Sequence, residues 1–145
     1  MARISLLSTL MIALAGCGSP ENPHRDLFEK IETNVRLPAE AYPMSSYSRY
    51  YANDEDGSIS AAYIIHSEGW LESTARACRE LEGNEKPHPC PIDGGSLRLV
   101  EPGNSLWVGD DVNLPGMAGG GCNLVTFKYH MDREKFSQME CNGPY

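Results

Sequence analysis

The chain has 145 residues, with 20 acidic against 12 basic side chains and a formal net charge of −8. That length carries one domain with its own core rather than two. The acidic balance argues against nucleic acid or an anionic membrane surface as a partner, since both repel a negative protein.

The N-terminus reads "MARISLLSTLMIALAGCGSP": one positive charge, Arg3, then about thirteen mostly apolar residues ending at Gly16. A helix needs roughly 20 residues to cross a hydrocarbon core of about 30 Å, so this run is too short to span one. A positive start, an apolar centre and small residues before a cut describe a secretory signal. No second apolar stretch follows it. An ordinary signal needs no cysteine at its end, yet Cys17 stands there. The four residues "LAGC", Leu14 to Cys17, resemble the lipobox of bacterial lipoproteins, and the resemblance covers residues 1–17 only. It implies cleavage before Cys17, two acyl chains on its sulfur and a third on its amine. One acyl chain binds a membrane only marginally, whereas two or three anchor a protein firmly, at roughly 0.8 kcal/mol per buried CH₂. In the Gram-negative pattern an Asp after the cysteine retains the protein in the inner membrane. Gly18 stands there instead, which implies the outer membrane, facing the periplasm.

The chain then divides into a signal peptide (1–16), a lipidated cysteine with a short tether (17–22) and a single domain (23–145). Removing 1–16 takes away Arg3 and no other charge, leaving 129 residues at −9.

Asn22-Pro23 reads as a cap followed by proline in the first helical turn. Leu27, Ile31 and Val35 recur every four residues beside Phe28, which predicts an amphipathic helix over about 23–35, ended by "LPAEAYP". "SYSRYY-ANDEDG-SISAAYIIH" predicts a hairpin with a turn rich in Asp and Gly. "GWLESTARACRELEG" places Leu71, Ala75, Cys78 and Leu81 on one stripe and predicts a short second helix. "NEKPHPCPIDGG" reads as a loop, and "SLRLVEPGNSLWV" as two strands around Pro102-Gly103-Asn104. "GDDVNLPGMAGGG" is an irregular connection to a last hairpin. The sum is an α+β domain, with one or two helices packed on an antiparallel sheet of four to six strands.

With Cys17 assigned to lipid, Cys78, Cys90, Cys122 and Cys141 remain, an even number that reads as two disulfides in an oxidising compartment. In "CNLVTFKYHMDREKFSQMEC", setting Cys122 opposite Cys141 brings Phe127 to Phe136, Thr126 to Ser137 and Leu124 to Met139, with the turn at Met131-Asp132. Such cross-strand pairs are favourable. The like charges of Lys128 and Lys135 face each other in that register. Cys78 and Cys90 are then left to close a proline-rich loop.

Several constellations carry weaker chemical expectations. "NDEDGSIS" lacks acids at both ends of a calcium loop, where Ala52 and Tyr63 fall, and reads better as a hairpin turn. His88 and Cys90 lack the tight cysteine pair of a zinc site, and "GMAGGGC" lacks the lysine of a phosphate loop. No metal and no cofactor are expected. Asp110 and Asp111 beside Trp107 make a candidate acidic, aromatic-lined sugar site of the two-carboxylate type. Tyr47, Arg49, Tyr51 and Trp107 are candidates for a binding surface, since tyrosine and arginine are enriched at hot spots. The competing reading is that alternate tyrosines cover the helix.

The expected function is a non-enzymatic envelope lipoprotein, held in the membrane through Cys17, that binds an envelope protein or cell-wall partner. Two alternatives are an inhibitor of a basic hydrolase such as lysozyme, and a cell-wall or lipid-acting enzyme using the loop carboxylates.

Overall fold

A computed structural model of the chain describes residues 22–70, 72, 76, 92–93, 96–97, 99–117 and 119–143. The signal, Cys17 and the tether up to residue 21 lie outside the described residues, as do Cys78, Cys90 and His88. Among the described residues, no helix is long and apolar enough to cross a membrane.

The first element is helix α1, Arg25–Asn34. Asn22 prepares its start, its side-chain oxygen accepting from the His24 N–H and its carbonyl from the Arg25 N–H, both at 3.0 Å. The predicted stripe is the buried one: Phe28 and Ile31 face the sheet, and Val35 closes the helix with its N–H on the Ile31 carbonyl. Val35 is already extended, and Pro38 follows soon after, where a helix cannot continue.

A single 3₁₀ turn, Met44–Ser46, leads into β1 (Ser48–Asn53), which forms the predicted hairpin with β2 (Ile59–Ile64). Gly57, at φ +79°, supplies the left-handed turn residue, and the Asp54 N–H bonds the Ser58 carbonyl at 2.9 Å. Residues 68–70, 72 and 76 are helical, at the place of the predicted second helix. Two short strands, β3 (Ile92–Asp93) and β4 (Ser96–Leu97), pair with each other. Then come β5 (Ser105–Asp110), the 3₁₀ turns Asp111–Asn113 and Gly121–Asn123, β6 (Leu124–His130) and β7 (Lys135–Cys141).

The main sheet has five strands in the order β5-β1-β2-β6-β7. The α+β class and the strand number follow the reading above. Three pairings are antiparallel, but β5 runs parallel to β1, with Tyr50 against Leu106 and Tyr51 against Trp107. The sheet is therefore mixed rather than wholly antiparallel. Both faces of β1 and β2 are buried. On one face Tyr47, Tyr51, Ile59, Tyr63, Val125, Phe127 and Tyr129 meet α1. On the other, Tyr50, Ala62, Ile64 and Leu124 meet Trp70, Leu114 and Met117.

The last hairpin exists, but its register differs from the expected one. Tyr129 pairs with Phe136 and Lys128 with Ser137, while Cys141 pairs with Val125. Cys122 is not in a strand at all. It sits in the 3₁₀ turn ahead of β6 and reaches Cys141 from there, forming the expected disulfide with a Cα–Cα distance of 4.5 Å. The turn takes four residues, 131–134, and Glu134 adopts φ +50°. The shift removes the Lys128–Lys135 repulsion. It also keeps the aromatics together, since Phe136 packs edge-on to Phe127 at 5.7 Å as a diagonal neighbour. An irregularity between Thr126 and Lys128, with Gln138 at φ +52°, bends the outer strand.

Lys128 is held by the first hairpin turn, at 2.7 Å from Asp54 and 3.6 Å from Asp56. The Lys128 ammonium, and next the Ser60 hydroxyl at 2.6 Å, hold the Asp54 carboxyl down at about 2 from an ordinary 3.8. The unfolded chain thus takes up this proton near 3.8, and the native protein only near 2. Protons favour unfolding in that window. Stability should fall as pH is lowered from 3.8 through about 2, and Asp54→Asn should flatten that limb in urea titrations at stepped pH. An unchanged acid limb in the variant would remove the assignment.

Candidate functional site

The most developed polar site lies where α1, β1 and the start of β5 converge. Glu32 projects from α1, one turn after Phe28, onto the edge of the apolar stripe. Arg49 comes from β1 and Ser105 from β5, and the two are partners in the parallel ladder. Arg49 is only 9% exposed. Its Nε lies 3.3 Å from Glu32 Oε1 and donates to Ser105 Oγ at 3.1 Å, and its Nη2 donates to the Gly103 carbonyl. The Ser105 hydroxyl in turn donates to Glu32 Oε1 at 2.5 Å. Gly103 adopts φ +83° in the turn that brings its carbonyl to Arg49.

Two tyrosines complete the network from below. Tyr51 donates to Glu32 Oε1 at 3.0 Å, so in its contact with Tyr63, at 2.7 Å, the Tyr63 hydroxyl is the donor. Burial pushes the Tyr51 phenol far up, and the neighbouring Tyr63 and Glu32 raise it further. Burial also raises Tyr63. Both hydroxyls keep their protons and act as donors.

Two atoms of the network have no partner among the described residues, Arg49 Nη1 and Glu32 Oε2. No enclosed side-chain polar atom among those residues lacks a hydrogen bond, so both atoms reach solvent. Arg49 and Glu32 line an open cleft of about 550 Å³, whose rim carries Asn22 ahead of α1, Arg25 and Glu29 from α1, and Asn104 from the turn before β5.

A second, smaller cleft of about 360 Å³ lies across the sheet, where Asp54, Asp111, Lys128 and Glu140 meet. Its lysine is already neutralised by Asp54 and Asp56. Among the described residues, no group of three or more His, Cys, Asp or Glu side chains is arranged to hold a metal ion.

The sequence-predicted candidates distribute unevenly over these sites. The binding surface of Tyr47, Arg49, Tyr51 and Trp107 is not an exposed patch. Tyr47 and Tyr51 are fully enclosed under α1, Tyr47 donating to the Cys122 carbonyl at 2.6 Å, because both faces of their strand are covered. Among the described residues, the tyrosine that reaches the surface is Tyr42, 51% exposed. Trp107 is half-buried on the α1 side and stacks on His24 at 4.1 Å. Asp111 lines the cleft on the opposite face, and Asp110 is exposed at the end of β5. Trp107 is not among the residues that line this cleft with Asp111. Of the remaining histidines, His66 stacks on Trp70 at 4.9 Å and is pulled down by burial, and His130 contacts Ser137 at 2.8 Å. Of the site's residues, Arg49 and Tyr51 stood among the candidates. Glu32 carried a legible signal, since it falls four residues after Phe28 on the helix stripe. A carboxylate at the edge of an apolar face needs a partner.

A scan of protein-family models, a search of curated proteins and a search of solved structures find no match to this chain.

Proposed function

We propose that the protein is a lipoprotein of a bacterial envelope, held by acyl chains on Cys17 in the outer membrane and facing the periplasm. Its α+β domain is a non-enzymatic binding module, and the ligand seats in the cleft between α1 and the start of β5. The observation that carries the binding role is Arg49: a nine-tenths buried residue that lines the cleft and whose Nη1 has no partner among the described residues. That atom reaches solvent, so a ligand can take it without breaking a hydrogen bond within the protein. Such a donor is a preformed contact for something that arrives. The anchor rests on "LAGC" at Leu14–Cys17, which supplies the sulfur for acylation.

The test is metabolic labelling with a clickable palmitate analogue, followed by membrane fractionation and in-cell crosslinking, on wild type and Cys17→Ala. Wild type is expected to take the label, float with the outer membrane and crosslink to one abundant envelope component. Cys17→Ala is expected to lose the label and the crosslink together. Label retained in Cys17→Ala would overturn the anchor. A turnover activity abolished by a point change in the cleft would overturn the non-enzymatic role.

A further inference from the structure

We infer that the α1–β5 cleft takes a zwitterionic phospholipid headgroup of the ethanolamine type, with its phosphate on Arg49 and its ammonium on Glu32; this rests on the anchored binding module proposed above. The charge pattern selects the ligand class. Arg49 and Glu32 are held against each other through Nε and Oε1, 3.3 Å apart, and both residues line the cleft, each with one polar atom, Nη1 and Oε2, left without a partner among the described residues. The rim repeats the pattern one turn apart on α1, with Arg25 and Glu29. A purely anionic ligand would satisfy the arginines and meet two carboxylates. A purely cationic one would meet two guanidinium groups. A compact group with a positive donor a few bonds from a negative acceptor satisfies both.

The place in the chain selects the source. Asn22 lines the cleft and lies five residues after Cys17. Five residues fully extended span less than about 18 Å. In an anchored molecule the cleft is therefore kept near the lipid surface, where headgroups are present at the high effective concentration of a tethered encounter. The mature chain, at −9, is repelled by anionic lipids, whereas a zwitterionic headgroup carries no net charge. The acceptor selects the amine. Glu32 Oε2 can accept an N–H, which a primary ammonium offers and a trimethylated one does not.

The experiment uses the purified lipidated protein in detergent, titrated calorimetrically with phosphoethanolamine and phosphocholine as their soluble glycerol phosphodiesters, which keep the headgroup's charge, and with inorganic phosphate. The same protein in nanodiscs of phosphatidylethanolamine or phosphatidylcholine is then read by hydrogen exchange over residues 22–33. Phosphoethanolamine is expected to bind about tenfold or more tightly than phosphocholine, the worth of one charge-assisted hydrogen bond. Arg49→Lys and Glu32→Gln should each weaken it by a similar factor. Residues 22–33 should exchange more slowly in the ethanolamine nanodiscs. Equal binding of phosphocholine or of phosphate alone would overturn the headgroup assignment. Tight soluble binding with no difference between the nanodiscs would overturn the lipid as source and leave a free zwitterion. The ligand ranking on the wild-type protein needs no variant to fold. Failure of the anchor registers separately, as loss of palmitate labelling from a protein that still ranks the soluble headgroups.

Discussion

Replacing Arg49 by methionine is expected to lower the stability of the domain by about 3 kcal/mol, near the low end of the range for breaking a buried ion pair from one side. Methionine keeps most of the aliphatic stem, so little packing volume is lost. What is lost is the ion-pair partner of Glu32 and the donor to Ser105 Oγ and to the Gly103 carbonyl. Glu32 retains Tyr51 and Ser105 as donors, and its side chain is 20% exposed, so solvent screens part of the damage. Those remaining contacts place the effect near 3 rather than 5 kcal/mol. The asymmetry of buried pairs gives a sharper test. In Glu32→Gln, Arg49→Met the stranded charge is gone, and roughly half of the loss should return. Urea unfolding of the single and double variants checks both numbers. A double variant no more stable than Arg49→Met would mean that the pair is not the unit of stabilisation.

Removing the Cys122–Cys141 bridge, as Cys122→Ser, Cys141→Ser, is expected to cost about 3 kcal/mol by loop-closure entropy. The two cysteines are 19 residues apart, and the bond joins the turn before β6 to the last residue of β7. β7 is an edge strand, paired only with β6 and bent by the irregularity at Gln138. Its final pairing, Cys141 with Val125, lies directly beside the bridge, so that end of the ladder should fray first in the variant. Urea midpoints with and without the bridge, with hydrogen exchange at residues 124–126 and 139–142, read both effects. A loss under about 1 kcal/mol would show that the ladder closes the hairpin unaided and that the entropy estimate fails here.

Local chemistry was legible along the chain wherever partners are near in sequence. The 54–58 turn is written in its Asp and Gly residues, and the α1 stripe in the spacing of Phe28, Ile31 and Val35. The Cys122–Cys141 partnership follows from two strand-like flanks around a polar turn. Its register was not legible, because a cysteine in a turn reaches as far as one in a strand and only the latter dictates pairing. The parallel contact of β1 with β5 leaves no local mark either: Arg49 and Ser105 are 56 residues apart. The site shares that blindness, being assembled from a helix, a strand and a turn that neighbour one another only in space. For the tyrosines, the two-residue period of a strand sets Tyr47 and Tyr51 on one face and Tyr50 on the other. It carried no information that both faces would be covered, so a buried set resembled a surface one.

The position of β5 has a kinetic consequence. The β1–β2 and β6–β7 hairpins close over short stretches of chain, whereas β5 docks on β1 only after a long loop is drawn in, an entropic cost that must be met before its contacts form. β5 is held by one neighbour, at the outer edge of the sheet. It is thus the natural last step of folding and the natural first step of partial opening. Ser105 and the Gly103 carbonyl travel with it, so each opening dismantles the guanidinium's cage while the rest of the domain stays folded. An occupant of the cleft that touches Arg49 acts on the equilibrium of this one strand. Occupancy should therefore slow amide exchange at residues 103–110 as well as at the cleft's helix wall, residues 22–33.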